Sequence, residues 1–471
     1  MRPPKLEAER SILGALAAPA APAHSARWAR WSCVPSILVF TLLGLGCAGH
    51  AATTKDARAA LDRGQPREAL QMYNQLLEVD SANDLPDQVQ PDQQLYVLDR
   101  SMVLQSIDDY QNSSRDLQTA DKGVEMLDFS RSTMDDISKF VFSDDSGPYV
   151  APPYEKLMIN TMNMMNYLAR GDLNGARIEA RRFAVMQKYL NEHENPARSM
   201  LGPGSYLAGF TFEKSQRADE ALLYYDEALA YGEYRSLKKP LKRLCKLASK
   251  VSPRIKEAIE GVPDLPADDD SGELLVIVNY GRVPPKKANR IPIGLALTIA
   301  SDAISPRDRS RANQLAAQGL VTWVNFASLG KPSGQYDVPR FMLDGREQPT
   351  EMVLAVDKAA HQAYEDIKGT IIASAITRLI TRLVAGEATR QAAGGGVVGT
   401  LLSLGTQATM TAADTPDTRS WATLPARIAI ARVRVPAGEH KVGLMARGAS
   451  KTETVNVQPG GWAAVVLTSL R

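Results

Sequence analysis

Histidine and cysteine are scarce, with five His and three Cys in 471 residues. Beyond the first 46 residues only His50, His193, His361, His440, Cys47 and Cys245 remain. They are widely separated, with no His pair at helical ligand spacing and no Cys cluster, which argues against zinc chemistry. A Gly-x-Ser-x-Gly elbow and a phosphate-binding P-loop are missing too. No catalytic residue, metal ligand or cofactor is therefore expected, and the chain reads as a non-enzyme. An excess of one charge is also lacking: 55 basic residues face 53 acidic ones. Setting aside residues 1–46 turns the net charge from +2 to −1, and nothing in this balance asks for nucleic acid as a partner. A hydrophobic run of membrane-spanning length is absent as well. The uncharged stretch Val34 to Gly46 covers about 13 residues, against roughly 20 needed to cross a bilayer as a helix.

That stretch has another use. Arg27 and Arg30 precede it and the small residue Gly46 closes it, the layout of a cleaved export signal. Leu42-Leu43-Gly44-Leu45-Gly46-Cys47 resembles a lipobox, the signal read by bacterial lipoprotein-processing enzymes, although Gly44 stands where that pattern usually has Leu. The resemblance implies diacylglycerol and an N-acyl chain on Cys47, and more than one chain is what stable anchoring requires. Ala48 after the cysteine, rather than Asp, implies the inner leaflet of an outer membrane, facing the periplasm. The readings without lipid are a plain secretory signal and an uncut anchor. With Cys33 in the leader and Cys47 acylated, Cys245 is left alone. It falls in a helical segment, Leu241 to Leu247, as a half-buried structural thiol.

The remainder is ordinary globular composition, 44% hydrophobic and 23% charged. It reads as α+β: a helical repeat array over 47–262, a linker over 263–271, and a mixed domain over 272–471. That last part contains a helical excursion at 356–412 and ends in a small antiparallel β-sandwich over 424–471. In the helical part, Tyr167 to Ala180 places Gly171 at a helix end and Ala176 one turn into the next helix. Gly permits the turn and Ala permits close approach. Leu61 to Gly64 with Ala69 and Tyr73 repeats the arrangement. Tyr206 to Ala230 does so again with Ala221, Tyr225 and Ala228, Ser215-Gln216-Arg217 replacing the Gly turn. These segments resemble tetratricopeptide repeats at irregular spacing, with 85–146 intervening. Stacked pairs of this kind present a groove that commonly holds a protein. Met158, Met162, Met164 and Met165 fall at helical spacing and read as core filling.

Gly272 to Gly281 is a β-rich apolar run ended by Gly, a buried strand. Arg282, Lys286 and Lys287 around Pro284-Pro285 read as a solvated loop. Val356 to Ala385 is helical again, followed by Gly394-Gly395-Gly396 and a second apolar segment. From Ala426 to Val435 the residues alternate, with a slip near Ala431 that suggests a bulge. Turns at Pro436–His440 and Gly460-Gly461 divide the rest into strands at 441–446, 452–457 and 462–467.

Gly147-Pro148-Tyr149 through Pro153-Tyr154-Glu155-Lys156, the repeat at Tyr167, the strand at Gly272, and Ala413-Asp414-Thr415 with Asp417 to Pro425 resemble a family of proteobacterial repeat-containing lipoproteins. The resemblance implies export, lipidation and this architecture, and no catalytic residues. Val435 to Val442 is similar to the turn of small β-domains named for a Pro-Glu-Gly-Ala motif. Asp417, Arg419 and Trp421 are the candidate binding residues. Either Trp421 offers a platform for a peptidoglycan fragment beside charged groups, or an Asp–Arg pair forms a structural corner with Trp packed over it. Asp135-Asp136 and Asp144-Asp145 read as solvated loops or caps rather than acid–base dyads. The expected role is a lipid-anchored periplasmic scaffold that engages an envelope protein. The alternative is a carbohydrate-binding module or envelope-acting enzyme using the Asp417–Trp421 region.

Overall fold

The computed structural model describes residues 49–90, 93–123, 149, 151–192, 195–264, 270–332, 336–392 and 416–471. Cys47 and the leader, His193, Asp135-Asp136, Asp144-Asp145, linker residues 265–269 and the segment 393–415 lie outside them. The described residues belong to one compact unit that runs from Ala48 to Arg471.

Among the described residues, four helix pairs occupy the first half: α1 (Lys55–Asp62) with α2 (Pro66–Leu76), α3 (Gln94–Ser106) with α4 (Tyr110–Gly123), α5 (Pro153–Ala169) with α6 (Leu173–Glu192), and α7 (Leu201–Lys214) with α8 (Ala218–Tyr231). The turns share one geometry. Gly64, Asp108, Gly171 and Gln216 take left-handed backbone conformations, with φ of 75°, 67°, 71° and 59°. The next amide in each case reaches back to a carbonyl five residues earlier, as in Asp172 N–H to Tyr167 O at 2.9 Å and Arg217 N–H to Phe212 O at 2.9 Å. The third expected pair therefore keeps the Gly conformation without Gly. The 85–146 interruption contains a further pair that sequence spacing did not reveal. Ala69, Ala176 and Ala221 are buried at the contacts, and a Cβ on Gly209 would sit 2.5 Å from the Tyr225 ring. The four methionines are buried in α5, as core. Two short helices, α9 (Lys238–Leu244) and α10 (Pro253–Ala258), close this half, with Cys245 half-buried at the end of α9.

The second half folds back onto these helices. Strand β1 (Ser271–Tyr280) lies at the middle of a four-stranded sheet in the order β10-β1-β7-β6, formed with β6 (Glu351–Ala355), β7 (Arg427–Pro436) and β10 (Trp462–Ser469). One face of this sheet, carrying Leu275, Ile277, Ile428, Ile430 and Val466, joins the core of the helices. The other face, carrying Leu274, Val276, Val278, Ala429, Val465 and Leu467, packs on a second sheet. That sheet has the order β5-β4-β8-β9: β4 (Arg340–Leu343), β5 (Arg346–Gln348), β8 (Gly438–Ala446) and β9 (Ala449–Val457). Buried on both faces, β1 has the unbroken apolar run expected of such a strand. The layers are thus helices, sheet and sheet.

Three expectations are corrected here. The last four strands do not form a sandwich of their own, because β1 separates β7 from β10 and pairs with β10 in parallel, while β8 pairs with β4. The alternation of β7 does not slip at Ala431 either, since its pairing with β1 runs without a break from Arg427 to Pro436. Residues Arg427 to Ala431 are buried on both faces, so alternation has no wet side to report. The irregularity falls on the partner strand, between Met352 and Leu354. The basic segment after β1 is also no simple loop: β2 (Lys286–Pro292) pairs with β3 (Trp323–Leu329) as a hairpin. With α11 (Ile293–Ile299), α12 (Pro306–Ala317) and the long α13 (Val356–Ala392), the hairpin builds a separate core around Ala296, Leu315, Phe326, Ile372 and Ile376.

Polar groups hold the sheet against the helices at both ends of the apolar strip. At one end, Arg432 of β7 donates to Glu273 Oε1 at 2.5 Å, Glu213 Oε1 at 2.5 Å and the Tyr225 hydroxyl at 2.9 Å; Lys214 completes the group on Glu273. At the other end, the Gln105 carbonyl oxygen accepts from Thr468 at 2.7 Å and Asn279 at 3.2 Å, and the Gln105 amide donates to Asn166 at 2.8 Å. Burial would push the Glu213 and Glu273 carboxyls up, but the Arg432 and Lys214 charges overcome it and hold both below the usual range. The stability they contribute is present above the unfolded carboxylate value near ~4.3 and is lost as pH falls through their lower folded values. Arg432→Met leaves two buried carboxylates short of their partner and should cost about 3–5 kcal/mol in urea unfolding at neutral pH. That cost should shrink as the pH falls, because burial raises carboxyls that have lost Arg432 and they take up protons more readily in the folded protein than in the unfolded one.

Candidate functional site

Asp417, Arg419 and Trp421 lie in the segment that leads into β7, where Asp417 and Arg419 pair and Trp421 is buried. Arg419 grips Asp417 with two bonds, Nε to Oδ1 at 2.9 Å and Nη2 to Oδ2 at 2.8 Å. The Asp417 carboxylate also accepts the Arg419 backbone N–H at 2.9 Å. The guanidinium stands 5.8 Å from the centre of the Tyr149 ring. Burial raises the Asp417 carboxyl, but the Arg419 hydrogen bonds and the nearby Lys286 charge bring it below its ordinary value.

Trp421 is 2% exposed. Its backbone N–H donates to Glu155 Oε1 at 3.1 Å and its indole N–H to Thr423 Oγ1 at 3.2 Å. Glu155 sits in the first turn of α5, just after Pro153, and also accepts the hydroxyls of Tyr149 and Tyr154. Burial pushes the Glu155 carboxyl up, against the pull of Lys286 and these donors. Two residues on, Thr423 donates its N–H to Asp99 Oδ1 at 3.0 Å, while Asp99 Oδ2 meets His50 Nε2 at 2.8 Å. The segment is fastened to the hairpin module as well. Ser420 Oγ accepts the Lys286 N–H at 3.3 Å, and the Leu424 carbonyl accepts the Val283 N–H at 2.8 Å.

The result is a buried seam where α3, α5, the first described residues, the start of β2 and the strand β7 converge. The two stretches quoted for the family resemblance, around Tyr149–Lys156 and Asp417–Pro425, meet in it. No family model matches the chain, and no curated protein matches it either.

The seam can do little chemistry as built. Its carboxylates carry donors from their neighbours, and the Trp421 ring offers no open face on which a sugar could stack. Asp417 and Arg419 pair with each other, and Trp421 is buried with its N–H groups on Glu155 and Thr423. A shallow open depression lies elsewhere, against Ser301, Ile304, Pro306, Arg309, Ser310 and Asn313, with no seam residue in its wall. Among the described residues no group of three His, Cys, Asp or Glu side chains could hold a metal ion. Sequence reasoning missed Asp99 and His50. The signal for Asp99 was available: Asp99-Arg100 interrupts the apolar run Leu95 to Leu104, and both are buried. Arg100 in turn pairs with Asp116 at 2.7 Å and Asn74 at 2.9 Å.

Trp421→Ala should cost about 3–5 kcal/mol, as loss of a buried large aromatic does, and lower the melting temperature, while Trp421→Phe retains most of it. A Trp421→Ala protein that melts like the parent but loses binding to wall fragments would reverse this reading.

Proposed function

We propose that the chain is a non-enzymatic scaffold of the bacterial cell envelope, anchored through acyl chains on Cys47 to the periplasmic face of the outer membrane. The leader supports export, with its basic flank, short apolar core and Gly46-Cys47 junction. The observation that carries the anchor is the position of His50. Its ring is fixed to Asp99 inside the folded body, three residues after Cys47. Three residues span at most about 10 Å, so an anchor at Cys47 would hold the body directly against the bilayer surface. No helix among the described residues is long and apolar enough to cross a membrane.

A scaffold role draws support from the seam, where the candidate side chains satisfy one another. The four helix pairs with a common turn support a tetratricopeptide-like array. The inner side of such an array is where a protein partner would ordinarily dock, and here the sheet of β10, β1, β7 and β6 packs on the helices. We place a protein partner instead on the outer faces of α6 and α8, where Ile178, Val185 and Leu223 are exposed.

Cys47→Ala should give an unprocessed or soluble protein in detergent phase partitioning, where the parent enters the detergent phase. The mass of the parent's N-terminal peptide should show an acylated cysteine as its first residue. An N-terminus elsewhere, or an unmodified Cys47, would refute the anchor.

A further inference from the structure

The hairpin module carries an unusual surface. Its β2 strand ends at Pro292 opposite Trp323, the first residue of β3, and the Ile293 N–H donates to the Thr322 carbonyl at 3.0 Å. The start of α11 and the end of the α12–β3 connection are therefore adjacent. Three large apolar side chains stand at this tip: Leu295 is 49% exposed, Leu320 40% and Trp323 43%. Apolar side chains of this size usually reach a core, and this module has one that they do not enter. Over the Trp323 ring, 5.1 Å from its centre, sits the guanidinium of exposed Arg290.

Charge in the same stretch is one-sided. Setting aside Lys286, which faces the seam, residues 287–331 contain Lys287, Arg290, Arg307, Arg309, Arg311 and Lys331, against Asp302 and Asp308 alone, and Arg290 stands at the tip itself. The whole chain is nearly balanced, so this excess is local. A Trp ring and two Leu side chains at the tip of a basic module match a surface of acyl chains edged by anionic headgroups. Trp settles at the headgroup level, Leu enters the acyl boundary, and Lys and Arg are drawn to the negative surface. A protein groove would be served by the same apolar groups but would have less use for the Arg290 cation over the ring and for the net positive charge of the module behind it.

We propose that the tip formed by Leu295, Leu320 and Trp323 is a peripheral membrane contact, selective for anionic phospholipid. It does not depend on Cys47: the lipid tether would set where the body is, and the tip would set how it lies on the surface.

The test uses the full chain with vesicles whose acyl chains carry bromine, which quenches tryptophan on contact. The emission of Trp323 is the parent spectrum minus that of Trp323→Phe, two proteins expected to melt alike because the ring is half out of the core. On vesicles containing phosphatidylglycerol, this difference emission should shift to the blue and lose most of its intensity. On phosphatidylcholine alone, or in high salt, it should do neither. Leu295→Asp with Leu320→Asp, in a protein that retains Trp323 and its melting temperature, should abolish the shift. Cys47→Ala should retain it when anionic vesicles are in excess, which separates this contact from the anchor. Emission that stays red and unquenched on anionic vesicles overturns the proposal and leaves the tip to a protein partner. Equal quenching on both lipids overturns the charge selectivity.

Discussion

Strand β1 has to satisfy two cores at once, and the rest of the fold is arranged around that demand. Its odd positions, Leu275 and Ile277, belong with the helices, and its even positions, Leu274, Val276 and Val278, belong with the second sheet. A strand buried on both faces cannot slide by one residue without exchanging its two sets of neighbours, nor leave either layer without exposing apolar area. The helices, the central sheet and the outer sheet are therefore one cooperative object. The helix pairs alone would leave one apolar side open, and the chain supplies its own sheet to that side.

Apolar packing alone would leave the sheet free to drift across the helices, since Leu, Ile and Val contacts have little directional preference. The buried polar groups remove that freedom. Arg432 with Glu213 and Glu273 fixes one end, and Gln105 with Thr468 and Asn279 fixes the other. Each group joins a helix to a strand far from it in sequence, so a displaced sheet would leave several buried charges and amides without partners. The Asp99–Thr423 and Glu155–Trp421 bonds add a third fixed point beside the first described residues. That these links are charged or polar makes their geometry more selective than their net energy would suggest.

Much of this was legible in the sequence where the signal is local. The Gly171 and Gly64 turns, the alanines of the helix contacts, the buried run of β1 and the Gly460-Gly461 turn between β9 and β10 all follow from backbone rules that act over a few residues. What was not legible depends on partners distant along the chain. Arg432 reads as one member of a wet face, because a charge buried against two carboxylates looks the same in sequence as one in water. Gln216 and Asp108 conceal turns whose conformation usually announces itself with Gly. The insertion of β1 between β7 and β10 has no local mark at all, since parallel pairing is set by the whole sheet. For the candidate site, Asp417, Arg419 and Trp421 could be singled out as a group. Whether they faced solvent depended on Glu155 and Asp99, which lie more than 250 residues earlier.

The parallel pairing of β10 with β1 has a consequence for how the chain comes to be folded. Glu273 to Tyr280 must wait for Trp462 to Ser469, so the central sheet is incomplete until the C-terminal strand arrives. The Tyr110 hydroxyl waits likewise for the Val466 carbonyl, 356 positions later. A chain that appears N-terminus first, from a ribosome or through a membrane pore, therefore presents helices with an uncovered apolar side for nearly the whole of its passage. Contacts of such long sequence separation fold slowly and leave intermediates prone to sticking. The apolar face of the helices is thus fully covered only on completion of the last strand.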